Sequence, residues 1–261
     1  MTSFRLFTIP NILTLAGLLA GSVSIFYSLV QEMLPLACLF IVIAGLFDFL
    51  DGFSARLLGS YSLIGKELDS LADMVSFGVA PAASLFVLLK TQMGLDSIVW
   101  DTLGTMQRLY FAVPVMVVLF SALRLAKFNT DDRQSEAFIG LPTPAHAFLL
   151  SSLTFLLGRT TGALHSFIAA PAFIAVLATA TSFLLISEMR MFSLKMKEFS
   201  MKWNYPRYIF LLVSMFLLAF WQFAALPVII LLYILSAPLV NFLFRKSPVN
   251  TQKTPGKISH I

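Results

Sequence analysis

Four aspartates sit where the chain is otherwise apolar. Asp48 and Asp51 interrupt the end of one hydrophobic run (IAGLFDFLDGFSARLL), and Asp69 and Asp73 open the next (GKELDSLADMVSFGVAPA). A carboxylate inside a membrane segment costs several kcal/mol, so such residues face a cavity or a partner. Their spacings, i,i+3 and i,i+4, put each pair on one helical face. If the two helices are antiparallel neighbours joined near residues 57–64, the four carboxylates converge at one level. They cannot all stay ionised in a low dielectric without cations, and only Arg56 and Lys66 are close in sequence. Oxygen-only ligands favour the hard divalent ions Mg²⁺ and Mn²⁺ over zinc. Gly52 follows Asp51 and Gly65 lies four residues before Asp69, and a missing Cβ lets a bulky ligand approach the backbone. Ala55 keeps the same face narrow, and Arg56 supplies a fork suited to phosphate oxygens. Metals, glycines and an arginine together point to a pyrophosphate-bearing ligand. Two other readings stay open at this point: a structural Arg–Asp network and a transporter's cation site.

The elements that must position these residues are membrane helices. Of 261 residues, 58% are hydrophobic and only 12% charged, with a mean hydropathy of +0.87. Soluble domains carry about twice that share of charge. A helix needs about 20 apolar residues to cross the hydrocarbon core. Eight runs qualify, near 11–30, 34–57, 67–90, 108–127, 143–159, 165–187, 207–222 and 226–244. The expected fold is therefore all-α, a polytopic transmembrane bundle of about eight spans forming one domain over 1–244. The polar remainder, 245–261, is expected to be a disordered basic tail. Eight spans put both termini on one side. Of the 18 Lys and Arg, all but Lys90, Arg108 and Arg159 then fall on that side, which the positive-inside rule makes cytoplasmic. The net charge of +5 is thus a membrane-face feature, and no nucleic-acid partner is expected. Cys38 is the only cysteine, so an intramolecular disulfide and a thiol-based metal site are excluded.

The string D48-x2-D51-G52-x2-A55-R56-x8-G65-x3-D69-x3-D73 resembles the complete signature of the CDP-alcohol phosphatidyltransferases. These enzymes displace CMP from a CDP-linked lipid or alcohol. The resemblance implies two divalent metal ions, Mn²⁺ or Mg²⁺, held by Asp48, Asp51, Asp69 and Asp73. It also implies a homodimer in the cell membrane with its active site toward the cytoplasm. Gly52, Ala55, Arg56 and Gly65 would make room for and bind the CDP-lipid, and Asp73 would be the general base. The stretch Pro10-Asn11-Ile12-Leu13-Thr14 also resembles the family, with Asn11 and Thr14 one turn apart and within reach of the nucleotide; helix capping is the alternative.

The acceptor is less constrained. Asp69 to Pro81, R124-L-A-K-F-N129 and F138-I-G-L-P-T-P-A145 resemble the membrane-embedded phosphatidylserine synthase branch. That implies CDP-diacylglycerol and L-serine as substrates. A zwitterionic acceptor needs a cation for its carboxylate, and Arg124, Asn129 and Arg133 in an expected cytoplasmic loop are the candidates. Glycerol phosphate or inositol phosphate would be the rival acceptors. His146 departs from the small residue expected after Pro144-Ala145 and is given no role.

Overall fold

A computed structural model describes residues 6–60, 62–131, 139–189, 191 and 201–244, with 201–207 and 237–244 as backbone alone. The tail beyond 244 and Arg133 lie outside the described residues. Within them every regular element is helical. The order is α1 (Ile9–Leu29), α2 (Leu34–Leu57), α3 (Leu63–Asp73), a π-helical segment (Met74–Val79) and α4 (Ala80–Gln92). After these come α5 (Thr105–Thr130), α6 (Thr143–Leu157), α7 (Gly162–Ala169), α8 (Pro171–Ile186), α9 (Met201–Trp221) and α10 (Ala225–Phe244).

Local chemistry explains the boundaries. Thr8 caps α1, its hydroxyl accepting from the Asn11 backbone N–H at 3.4 Å, and Pro10 occupies the first turn, where its missing N–H costs nothing. Ser62 caps α3 by accepting from the Gly65 N–H at 2.9 Å, so this helix starts at Leu63, four residues before the expected span. Pro81 cannot donate to the carbonyl of Phe77, and its ring would crowd that carbonyl in a regular helix. The π turn just before it widens the helix, with the Ala80 N–H reaching Val75 O instead.

Among the described residues, five helical stretches are long and apolar enough to cross a membrane, or six if the bent pair α7 and α8 forms one span. The expected sixth helix is thus broken: its two parts meet at 58° beside Pro171. The fifth, α6, has only 15 residues. The last candidate, 208–236, is not straight. Gln222 adopts a left-handed backbone (φ 51°), and Phe210 and Tyr233 bring their ring centroids to 6.0 Å. A continuous helix would hold residues 23 positions apart at about 34 Å. α9 and α10 therefore form a hairpin.

The two larger apolar clusters hold the bundle together. Leu85, Leu89, Val117, Leu150 and Ile174 join α4, α5, α6 and α8. Ile41, Ala44, Phe77, Ala80 and Ala147 form the second behind the aspartates. Large side chains such as Leu19, Leu46 and Phe216 stay exposed, as a lipid-facing surface requires. Polar contacts gather at the two ends of the bundle. At one, Asn129 donates to Ser70 Oγ (2.8 Å) and Lys127 pairs with Glu188 (2.5 Å). At the other, Lys90 pairs with Glu32 (2.5 Å) and Arg159 donates to Gln222 (3.3 Å).

Candidate active site

The cleft at the first of these ends is built by α1, α2, α3 and the π segment. Asp48, Asp51, Asp69 and Asp73 all line it, together with Thr14, Gly17 and Ser76. One carboxylate oxygen from each of Asp48, Asp51 and Asp69 lies within 4.8 Å of the other two. Three hard oxygens that close, on three separate turns of two helices, suit a shared Mg²⁺ or Mn²⁺, whose oxygen ligands crowd within about 2.1 Å of the ion. The donor set fits the metals the signature implies. Asp73 lines the same cleft but stands outside this closest trio, one turn beyond Asp69.

The fixed point of the cluster is Asp51, the most buried of the four at 6% exposure. Thr14 donates its hydroxyl to Asp51 Oδ2 at 2.6 Å, while Thr14 itself is buried beside the Pro10 carbonyl at 3.0 Å. The hydroxyl proton can serve only one acceptor at a time, and the shorter bond goes to the charged oxygen. Thr14 thus orients a carboxylate ligand. Asn11, buried at 2% exposure, donates its side-chain amide to Leu6 O at 2.8 Å. Its Oδ1 comes within 3.0 Å of where a Cβ on Gly65 would stand, so Asn11 and Gly65 adjoin each other.

Across the cleft wall, α1 meets the π segment backbone to backbone. A Cβ on Gly21 would fall 2.8 Å from Ser76 Cα, and Ser76 donates its hydroxyl to Gly17 O at 3.2 Å. These contacts set the distance between Thr14 on α1 and the aspartates beyond it. By contrast, Gly52 has no atom within 4 Å of its Cβ position and faces open space, as a ligand-approach role requires. Arg56 is exposed beside it and donates Nε to Gly52 O at 2.9 Å; Ala55 is half-buried.

The serine-site candidates divide. Residues 124–130 form the last turns of α5, which runs to Thr130, three residues past the expected span end, so Arg124 and Asn129 sit on a helix and not in a loop. Arg124 is consequently buried at 2% exposure, donating Nε to Leu141 O at 3.2 Å and stacking over Phe128 at 5.2 Å. Among the described residues its Nη1 is buried with no hydrogen-bond partner. Ser121 abuts Gly78 and Asn129 bonds Ser70, two contacts of one antiparallel register. In that register Arg124 is level with Val75, within a turn of Asp73. His146 is fully buried and meets Thr181 Oγ1 at 3.1 Å, a tie between α6 and α8 away from the cleft. Lys127, bonded to Ile186 O and Glu188, closes the end of the bundle in the same way.

Comparison with known proteins matches the geometry. A CDP-diacylglycerol–serine O-phosphatidyltransferase from Helicobacter pylori is 31% identical over 248 residues, covering 92% of each chain. One of the same name from Mycobacterium leprae is 36% identical over 195 residues, 70% of this chain and 57% of that one. An archaetidylserine synthase from Methanothermobacter thermautotrophicus is 33% identical over 154 residues, 58% of this chain and 59% of that one. The CDP-alcohol phosphatidyltransferase family model matches residues 7–182, a stretch that contains all four aspartates, Thr14, both signature glycines and Arg124. With the signature folded into one acidic cleft and the match spanning most of the bundle, the chain belongs to the CDP-alcohol phosphatidyltransferase family.

Proposed function

We propose that this protein transfers the phosphatidyl group of CDP-diacylglycerol to L-serine, releasing CMP and forming phosphatidylserine. The observation that carries the reading is the oxygen trio of Asp48, Asp51 and Asp69 on the family signature, in a chain whose full-length relatives bear serine-transferase names. Asp48, Asp51, Asp69 and Asp73 hold two divalent ions. When bound, these ions neutralise the pyrophosphate and the charge that develops as the phosphorus is displaced. The remaining work belongs to the chain. Arg56 binds phosphate oxygens, while Gly52, Ala55 and Gly65, with Asn11 beside Gly65, leave room for the cytidine diphosphate. Thr14 holds Asp51 in its ligand orientation. Asp73 accepts the serine hydroxyl proton as that oxygen bonds to the lipid-side phosphorus and the bond to CMP breaks. No covalent protein intermediate is needed.

The serine carboxylate is assigned to Arg124. Its buried Nη1, without a partner among the described residues, favours this role, because an unpaired guanidinium nitrogen carries a desolvation cost that an incoming carboxylate removes. Asn129, exposed and bonded to Ser70 near Asp69, is a second polar group on the same rim. Arg133, also assigned to the serine site, is outside the described residues. Glycerol phosphate and inositol phosphate are the rival acceptors.

The protein is further proposed to be a homodimer of eight-span chains, one domain over 1–244, with both termini and the active site on the cytoplasmic face of the cell membrane. The α9–α10 hairpin and the sorting of polar contacts into two ends favour that count. A panel of acceptors tests the function. Purified protein with CDP-diacylglycerol and Mn²⁺ is expected to release CMP with serine and not with the phosphorylated alcohols. In Arg124→Ala the KM for serine should rise by about 10- to 150-fold, the loss of a charge-assisted bond, with a smaller change in KM for the CDP-lipid. Equal rises would give Arg124 to the lipid phosphates instead.

A further inference from the structure

The family match ends at residue 182, and the carbonyls that follow it at the end of α8 hold the connection between α5 and α6. The last carbonyls of a helix have no partner within it and must find donors elsewhere. Here Leu184 O accepts from the Leu141 N–H at 2.9 Å, and Met189 O, just past the helix, accepts from the Gly140 N–H at 2.8 Å. Ile186 O accepts from Lys127 Nζ at 3.2 Å, and Glu188 pairs with the same ammonium. Gly140 is the residue that lets the two segments close. A Cβ there would stand 2.6 Å from Leu185 O, 3.0 Å from Ser187 O and 3.3 Å from Leu184 O. Its φ of +78° is also one that residues with a Cβ rarely adopt. Alongside, Leu141, Leu185 and Met191 form a buried cluster, with Tyr233 and Ile234 of α10 packed against it.

We propose that this carbonyl cradle orients the acceptor site, with Gly140 as a positioning residue that acts through Leu141 on Arg124. This role presupposes the assignment of the serine carboxylate to Arg124. Leu141 is the link: its N–H is held by α8, and its carbonyl accepts from Arg124 Nε at 3.2 Å. A guanidinium is planar, so fixing Nε, with the Phe128 ring stacked at 5.2 Å, fixes the directions of its other N–H groups. Nη1, without a partner among the described residues, is then aimed and cannot swing. Lys127, three residues along α5, ties the same helix end to the same carbonyls. Both sides of the Arg124–Leu141 bond are thus anchored on α8.

The place of the cradle in the chain is the second support. All four aspartates and both signature glycines lie inside the matched stretch 7–182, whereas Leu184 to Met189 lie beyond it. Arg124 is therefore aimed from outside the part that carries the metal ligands. An acceptor-selecting element in that position can change while the metal site stays as it is. The geometry also sets the size of the effect. A close carbon–oxygen contact is about 3.3–3.6 Å, so a Cβ at Gly140 would push the connection back by about 0.7–1 Å. That is enough to carry a 3.2 Å bond beyond hydrogen-bond length.

The test is a double-mutant cycle read in CMP release with Mn²⁺, with KM for serine, KM for CDP-diacylglycerol and kcat measured for each variant. Gly140→Ala should raise the KM for serine by about 10- to 100-fold, the effect of a displacement near 1 Å, with KM for the CDP-lipid little changed. In the Arg124→Ala background the same substitution should add nothing to the serine KM, because the group it aims is gone. Lys127→Met removes the second tie without adding an atom to the cradle. It should raise the serine KM in the same direction, and it decides the matter if Gly140→Ala does not fold; an unchanged value there overturns the proposal. So does a Gly140→Ala protein that loses stability or turnover with its serine KM intact, or effects of Gly140→Ala and Arg124→Ala that multiply. Either would leave Gly140 a packing residue, with the assignment of Arg124 standing. An unchanged serine KM in Arg124→Ala alone refutes that assignment, and the cradle's role with it.

Discussion

At the scale of single residues, the site depends on a hydroxyl that the sequence assigns to the nucleotide and the structure turns toward a carboxylate. Asp51 is the best-buried ligand, and a carboxylate in that position needs a donor to hold its rotamer and offset its desolvation. Thr14 provides one from 37 residues away. Thr14→Val keeps the shape and removes the proton. The lost bond to a charged oxygen is worth about 1.5–3 kcal/mol, so apparent Mn²⁺ affinity should fall by roughly 10- to 150-fold. Thr14→Ser should restore it. Metal titrations followed by CMP release and by thermal stabilisation would separate this from a folding defect, since a purely structural Thr14 would lower stability with Mn²⁺ affinity intact.

At the scale of elements, what could be read from the sequence was what charge and period reveal. Aspartates inside apolar runs announce themselves, and their helical spacing correctly places Asp48, Asp51 and Asp69 around one point. The first four spans appear within a few residues of their expected ends. The hold of Thr14 on Asp51 was not legible, because it arises through packing of α1, as do the contacts of Gly17 and Gly21 with Ser76, which no local pattern encodes. The π turn was equally hidden, as was the 58° break at Pro171, since a membrane helix can keep a proline without breaking. Arg124 and Lys127 read as loop charges, yet both sit on the last turns of α5, within the span expected over 108–127. The packing of α1 on the π segment gives the sharpest test at this scale. Gly21→Val would drive side-chain atoms into Ser76, whose Cα is 2.8 Å from the Cβ position. Overpacking of this kind costs about 1–3 kcal/mol. The variant should therefore unfold at lower temperature in detergent and lose activity together, whereas Gly52→Val, facing open space, should keep its stability.

For the whole molecule, the ordering of charged residues and the ordering of polar contacts agree on which loops share a side. Cys38 is buried and unique, so a Cys38→Ala background permits single-cysteine reporters. Asp96 and Glu67 are both exposed, on opposite ends of the α3–α4 helix. An impermeant maleimide should label Asp96→Cys in intact cells and Glu67→Cys only after permeabilisation; the reverse pattern would invert the topology. The central claim is that the aspartate cluster carries metal-dependent transfer of a phosphatidyl group to serine. Isotopically labelled serine tests it most directly, with purified protein first stripped by chelator and then given Mn²⁺. The label should enter phosphatidylserine in step with CMP release only after the metal is returned. Asp69→Asn should cut that rate by roughly 10²- to 10⁴-fold, several kcal/mol of lost charge stabilisation, while remaining folded. Labelled phosphatidylserine formed at full rate by Asp69→Asn, or by the chelated protein, would contradict the account.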